Sequence, residues 1–248
     1  MYTKSAEFYD ALYHVKDYAD ASRRLHEIIQ QHNPNARTLL DVACGTGKHA
    51  EYLREYYQVE GLDLNPDLLE IARKRCPEIV FHSGNMLDFK LKHNFDVVTC
   101  LFSSVAYLKT PENLRIAIAN MASHLEPGGI LVVEPWFSPA NYWTGTITAN
   151  FVDHPELKIA WMYTSDPPID SLCIVDIYYL VGTPDGVHQF KERHQLGLFS
   201  HANYLSAFRK ASLDVHYDPE GLFKRGLYWG IRSGSSRSST ASNEVRTM

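Results

Sequence analysis

With 248 residues, 45% of them hydrophobic, the chain holds enough apolar material for one large α/β core. A net charge of −5 excludes a general nucleic-acid or anionic-membrane binder, which would reward clustered Lys and Arg, so an anionic substrate must meet a local basic spot. No apolar run approaches the ~18 residues that span a bilayer. Cys44, Cys76, Cys100 and Cys173 form no CxxC pair, and "MYTKSAEFYD" lacks a secretory leader pattern, so a reduced, cytoplasmic protein is expected.

Residues 1–35 read as a helical cap. Their segment "AEFYDALYHVKDYADASRRL" sets Tyr9 and Tyr13 four apart on one helical face, either as a core-packing stripe or as a lid over a pocket. Apolar runs of strand length follow at Thr38–Val42, Tyr57–Leu62, Ile79–Ser83, Phe95–Cys100 and Gly129–Glu134. Helical patterns separate them near Ala50–Tyr56, Asp67–Arg75 and Pro111–Leu125. That alternation predicts a doubly wound, mostly parallel α/β sheet built from right-handed crossovers over residues 36–136. Two helix starts have their own chemistry: Asn65-Pro66 and Thr110-Pro111 each pair a capping side chain with a proline at the first helical position.

Residues 137–200 change character. Ile159–Thr164, Cys173–Val181 and Val187–Leu196 alternate apolar and polar, and "GTPDG" reads as a hairpin turn, which predicts an added antiparallel sheet. Its residues Trp161, Tyr178 and Tyr179 are expected to be exposed and to form a homodimer surface. A helix over Asn203–Ala211 and strands near Leu213–Tyr217 and Leu227–Ile231 complete the main sheet over residues 201–231. The Ser-rich stretch 232–248 is expected to stay disordered.

The stretch "LLDVACGTGKHA" ends a strand and opens a helix with Gly45, Gly47 and Ala50, a G-x-G-x-x-A pattern that bares backbone N–H groups at the carboxyl edge of the sheet. Asp63, at the end of the next strand, is placed to accept hydrogen bonds from ribose hydroxyls, so an adenosine cofactor is expected. Asp41 stands just before the turn. Its charge would repel a pyrophosphate but suits the cationic methionyl end of S-adenosylmethionine. Asn85 and Met86 in "SGNMLDF" suit an adenine edge and face. An NAD-dependent oxidoreductase and a cofactor-binding module without turnover are the alternatives that the glycine pattern leaves open.

With "FDVVTCLFSSVAYL" and "HLEPGGILVVEPW" following in order, residues 36–136 resemble the class I S-adenosylmethionine-dependent methyltransferases. That resemblance implies a Rossmann-like, seven-stranded sheet, a small-molecule acceptor, and no metal. "DVACGTG", "FSSVAYLKT", "HLEPGG", "VVEPW" and "RGLYWG" further resemble N,N-dimethyltransferases acting on nucleotide-linked 3-amino-3,6-dideoxyhexoses. By this resemblance Tyr18, Asp41, Ala43, Gly45, Gly47, Asp63, Leu64, Asn85, Met86 and Leu101 hold the cofactor. Tyr9, Tyr13, Ser104, Glu134, Trp136 and Arg225 face the substrate, and Tyr13 and His124 are the candidate bases.

Methyl transfer from a sulfonium to an amine needs the two reactants held in line with water excluded, and needs no covalent nucleophile. His124 reads equally as a base or as a histidine favouring a helix C-terminus. Glu134 either lines the acceptor pocket or bonds backbone. Arg225, beside Lys224, is the candidate grip for a diphosphate, whereas "HQFKERH" (188–194) reads as a solvated strand face. Cys44 and Cys100 read as small buried side chains.

Overall fold

The computed structural model describes residues 4–234. In chain order it contains α1 (Tyr9–Leu12), α2 (Tyr18–His32), β1 (Thr38–Val42), α3 (Lys48–Leu53), β2 (Gln58–Asp63), α4 (Pro66–Arg75), β3 (Val80–Ser83), β4 (Phe95–Cys100), α5 (Pro111–Ser123) and β5 (Leu125–Val133). Four strands follow, β6 (Ile147–His154), β7 (Leu157–Thr164), β8 (Leu172–Thr183) and β9 (Gly186–Gly197), and then α6 (His201–Lys210), β10 (Leu213–Asp218) and β11 (Leu227–Arg232).

The main sheet has the order β10-β11-β5-β4-β1-β2-β3. Its β1 to β5 pairings are parallel, and β11 runs antiparallel to both β5 and β10. Both faces are covered, which is why β1 buries apolar side chains on each of them, with Asp41 as its buried polar residue. Leu40 and Val42 enter one core with Val98, Ile118 and Phe208, while Leu39 enters the other with Leu25, Ile29 and Leu69. Strand order reverses at β1, and at that point the carboxyl ends of β1 and β4 part to leave a crevice.

Local chemistry starts the helices where the sequence places them. The Asn65 side chain accepts from the Asp67 N–H at 2.9 Å, and Thr110 Oγ1 accepts from the Asn113 N–H at 3.2 Å. The first helical segment is shorter than its pattern. It stops at Leu12, and α2 begins afresh behind the Asp17 cap, so Tyr13 to Asp17 form a loop.

The second sheet has the order β6-β7-β8-β9, all antiparallel, with the turn after Thr183 closing the β8/β9 hairpin. No alternation announces β6, because only Val152 of its residues is buried. Two expectations for this sheet are corrected. Trp161 and Tyr179 pair across β7 and β8 on the inner face, where Tyr179 is 5% exposed, so neither belongs to an outward surface. Strand periodicity instead turns Phe151, Met162, Tyr178 and Leu180 outward, all exposed.

The start of the chain ties the two sheets together. The Ser5 hydroxyl donates to Glu192 on β9, whose Oε1 also accepts from the Lys4 N–H at 2.7 Å. A turn later, Asp10 pairs with Arg75 of α4 and accepts from Thr46 Oγ1 at 2.7 Å. Most of the Ser-rich tail expected to be disordered lies outside the described residues. Among those described, no helix is long and apolar enough to cross a membrane.

Candidate active site

At the crevice, backbone geometry makes the room that the glycine-rich stretch promised. Ala43, Gly45 and Gly47 all adopt positive φ, +59°, +56° and +74°. At Gly45 nothing stands within 4 Å of where a Cβ would be, so the main chain is bare to the cavity; at Gly47 a Cβ would press on Ala72 at 3.2 Å. Gly47 therefore serves the turn and the α3–α4 packing rather than the cavity wall. Ala43 has no such freedom and holds a strained conformation at the site itself.

A cavity of about 300 Å³ opens here, walled by Ala43, Gly45, Asp63, Asn85 and Met86, with Leu64 on its exposed rim. Asp63 is buried, and its carboxylate accepts from the Gly45 N–H at 2.9 Å and the Asn65 N–H at 2.8 Å. Those bonds fix the group in the wall, and burial raises its pKa. A carboxylate has about four acceptor positions, so capacity remains for a diol. A smaller adjoining space, sharing Tyr9, Ala43, Gly45 and Ser104, is walled by Tyr18, Asp41 and Leu101. Burial lifts the Asp41 carboxyl to about 7 while Thr99 Oγ1 donates to it at 2.8 Å. A cation entering this space would restore the charged form. An apolar face, a fixed diol acceptor and a buried carboxyl at the far end fit an adenosine joined to an amino-acid ammonium.

A second cavity, of about 270 Å³, lies between this edge and the inner face of the antiparallel sheet. Tyr9, Ser104 and Tyr107 line both cavities and so form the seam between them. Tyr13 is in its wall, its ring edge-on to Phe102 at 4.9 Å, with Trp136 and Arg225 opposite. Arg225 donates to Ser103 Oγ at 3.2 Å and lies over the Trp136 ring at 4.7 Å. Lys16 stands in the same wall over Phe223 at 4.7 Å, its pKa lowered by burial and by Arg225. The bonded partners of these two cations are a hydroxyl and ring faces. The buried Glu134 carboxyl, which feels both charges, is itself pushed toward its neutral form by burial, an arrangement with positive charge to offer an anion.

Two expected site residues sit elsewhere. His124 lines neither cavity. It caps α5, where Nε2 accepts from the Leu91 N–H at 3.2 Å, Nδ1 donates to the Asn120 carbonyl at 2.9 Å, and the ring stacks on Phe89 at 4.3 Å. With both nitrogens engaged in a neutral tautomer, it is not placed to act as a base. Glu134 is fully buried behind the wall. Its Oε2 accepts from the Phe102 N–H at 2.6 Å, Oε1 makes no hydrogen bond, and burial lifts its pKa to about 7. That bond braces Phe102 and Ser103, both at positive φ, in the loop that shapes the second cavity. Cys44 and Cys100 are buried and unpaired with other cysteines.

Sequence reading missed Lys16, Tyr107, Trp161 and His194 in the second cavity. His194 had a signal. In "HQFKERH" the strand alternation turns Lys191 and Arg193 outward onto Asp176, as a solvated face should, and turns Glu192 and His194 inward.

Fold and crevice together define a class I S-adenosylmethionine-dependent methyltransferase, and a methyltransferase domain model matches residues 39–129. The chain is 40% identical over 230 residues to the dTDP-3-amino-3,4,6-trideoxy-alpha-D-glucopyranose N,N-dimethyltransferase of Streptomyces venezuelae, covering 91% of this chain and 97% of that one. It is 39% identical to the dTDP-3-amino-3,6-dideoxy-alpha-D-glucopyranose N,N-dimethyltransferase of Streptomyces fradiae, covering 91% and 90%. Among solved structures, Streptomyces venezuelae DesVI superposes with a TM-score of 0.88 at 38% identity, covering 93% of this chain and 99% of that one. CalS10, an amino pentose methyltransferase from Micromonospora echinaspora solved with S-adenosylmethionine bound, superposes at 0.84 with 35% identity, covering 91% and 97%. The chain belongs to this family of nucleotide-aminosugar N-methyltransferases, and the dinucleotide-oxidoreductase alternative falls with that membership.

Proposed function

We propose that the chain methylates the amino group of a dTDP-linked deoxyamino sugar, adding one methyl and then a second. The observation that carries the reading is the pair of cations, Lys16 and Arg225, in the wall of a cavity that meets the cofactor cavity at Tyr9, Ser104 and Tyr107. A diphosphate gripped by Arg225 would leave the sugar against Trp136 and the inner sheet, with its amine at the seam.

S-adenosylmethionine, when bound, supplies an electrophilic methyl and a thioether leaving group. Asp63 would hold its ribose, Asn85 and Met86 its adenine, and Asp41 with Tyr18 its amino-acid end. Little remains for side chains beyond approximation. Tyr13 and Ser104 bound the space in which the nitrogen must sit, and the aromatic wall around Phe102 excludes water. His124 has no part in this reading.

The test is incubation with methyl-deuterated cofactor and dTDP-3-amino-3,6-dideoxyglucose, followed by mass spectrometry. A gain of one and then two trideuteromethyl groups is expected; an unlabelled aminosugar refutes the reading. Assembly follows the same logic. Phe151, Met162, Tyr178 and Leu180 make an apolar outer face suited to a second copy, and Leu180→Glu should convert a dimer to a monomer in light scattering.

A further inference from the structure

The nitrogen acceptor imposes a condition on whatever bonds it. An amine attacks through its lone pair, so a neighbour that donates a hydrogen bond ties up the pair the reaction needs, whereas a neighbour that accepts one N–H leaves it available. Tyr107, at the seam, has a hydroxyl capable of either role. What decides between them lies behind it.

The Tyr107 hydroxyl stands 2.8 Å from Nδ1 of His194. His194 is 3% exposed, and burial lowers its pKa to about 4, so the ring is neutral and carries one N–H. Its Nε2 lies 4.0 Å from Oε2 of Glu192. Glu192 is itself buried, and although burial opposes ionisation, bonds from the Ser5 hydroxyl and the Lys4 and Ser5 N–H groups hold its pKa below the ordinary range. The 4.0 Å from Nε2 to Oε2 is too long for a hydrogen bond, so the carboxylate acts through its charge, which favours the tautomer with the positive end of an N–H dipole at Nε2. Nδ1 is then an acceptor.

We propose that Glu192 and His194 act as positioning residues that fix the direction of this hydrogen-bond chain, so that Tyr107 donates to Nδ1 and presents only lone pairs to the acceptor amine at the seam. The inference rests on the amine reading above and adds residues to it. It gives a role to the glutamate and histidine that β9 buries on one face, beside the second cavity. It also makes the N-terminal residues Lys4 and Ser5 part of the device, since their bonds hold the Glu192 charge.

Two measurements test it. Long-range nitrogen–proton correlation NMR of the protein with S-adenosylhomocysteine, assigned by loss of the signal in His194→Phe, should show an Nε2–H tautomer with bare Nδ1; an Nδ1–H tautomer overturns the proposal. Kinetics form the second arm. Tyr107→Phe and His194→Phe should each lower kcat by about tenfold, the worth of one hydrogen bond, with KM for the dTDP-sugar little changed. The double variant should be no slower than either single one, because His194 acts only through Tyr107. His194→Asn, whose amide oxygen can stand in for Nδ1, should recover part of the loss. Effects that multiply, or an unimpaired His194→Phe, overturn the proposal, and unchanged thermal unfolding midpoints certify that the variants are folded. A wild-type protein that leaves aminosugars unlabelled refutes the acceptor assignment instead, and the tautomer then decides this inference by itself.

Discussion

The cavity beside β1 and β2 is built at the strand ends around main chain: the bare backbone at Gly45, the strained Ala43, and a carboxylate locked by backbone N–H groups. The cavity under the second sheet is walled by side chains from distant elements: Lys16 before α2, Tyr107 after β4, Trp161 on β7, His194 on β9 and Arg225 before β11. A main-chain wall suits the cofactor, whose recognition need not vary with the acceptor. A wall of side chains can change its acceptor by substitution without disturbing the sheet beneath it.

If that division is right, damage should stay on its own side. Asp63→Ala, which removes the diol acceptor and frees the Gly45 and Asn65 N–H groups, should weaken S-adenosylhomocysteine binding by about 3–4 kcal/mol in calorimetry. Full affinity in that variant would break the comparison. Arg225→Ala should raise KM for the dTDP-sugar by the equivalent of about 2–3 kcal/mol while leaving S-adenosylhomocysteine affinity alone, and Arg225→Lys should restore little of it. A loss of cofactor affinity there would show the two cavities to be one.

Glu134 tests the partition between them. Its folded pKa of about 7 exceeds the ordinary 4.5, so the folded chain keeps a proton that the unfolded chain releases. The associated stability is complete below about pH 4.5 and is lost as pH rises through about 7. Glu134→Gln, which keeps an acceptor for the Phe102 N–H, should therefore be more stable than wild type by about 2 kcal/mol at pH 8 and equal to it near pH 4, read by urea titration. A gain independent of pH would show that burial of this carboxyl is not the cause. His124→Ala should cost only about 1 kcal/mol of stability, from the lost cap and stacking, with kcat unchanged; a collapse in kcat would return His124 to the site.

The same division explains what could be read before the fold was known. Strand and helix order were legible because β1, β4 and the proline-led helices α4 and α5 obey local rules of burial and capping. The cofactor turn was legible because positive φ at two closely spaced positions calls for glycine, and because Asp63 sits at a strand end. The second cavity was legible only through resemblance, which named Tyr9, Tyr13, Ser104, Trp136 and Arg225 of its lining but not the rest. Lys16 gives no local sign, since nothing in "HVKDYAD" says that Arg225 will face it across the same wall. Tyr107 lies in "FSSVAYLKT", yet only the 3₁₀ turn Ser104–Leu108 brings it against β9. His124 misled because a histidine at a helix end has the same local look whether it caps or catalyses. Exposure of Trp161 and Tyr179 failed on parity, since the face a strand buries depends on which sheet it meets.

The bonds from Ser5 to Glu192 and from Asp10 to Thr46 and Arg75 set a timetable for biosynthesis. Of the two anchor points in residues 5–10, Asp10 finds its partners within the next seventy residues synthesised, but Ser5 only after nearly two hundred have been made. Until then the segment is held at Asp10 and, once Phe102 is in place, at Tyr13, but not at Ser5. The second cavity is therefore completed late, when the hairpin bearing Glu192 and His194 emerges, and a bulky fusion ahead of Lys4 would interfere with that last act of docking.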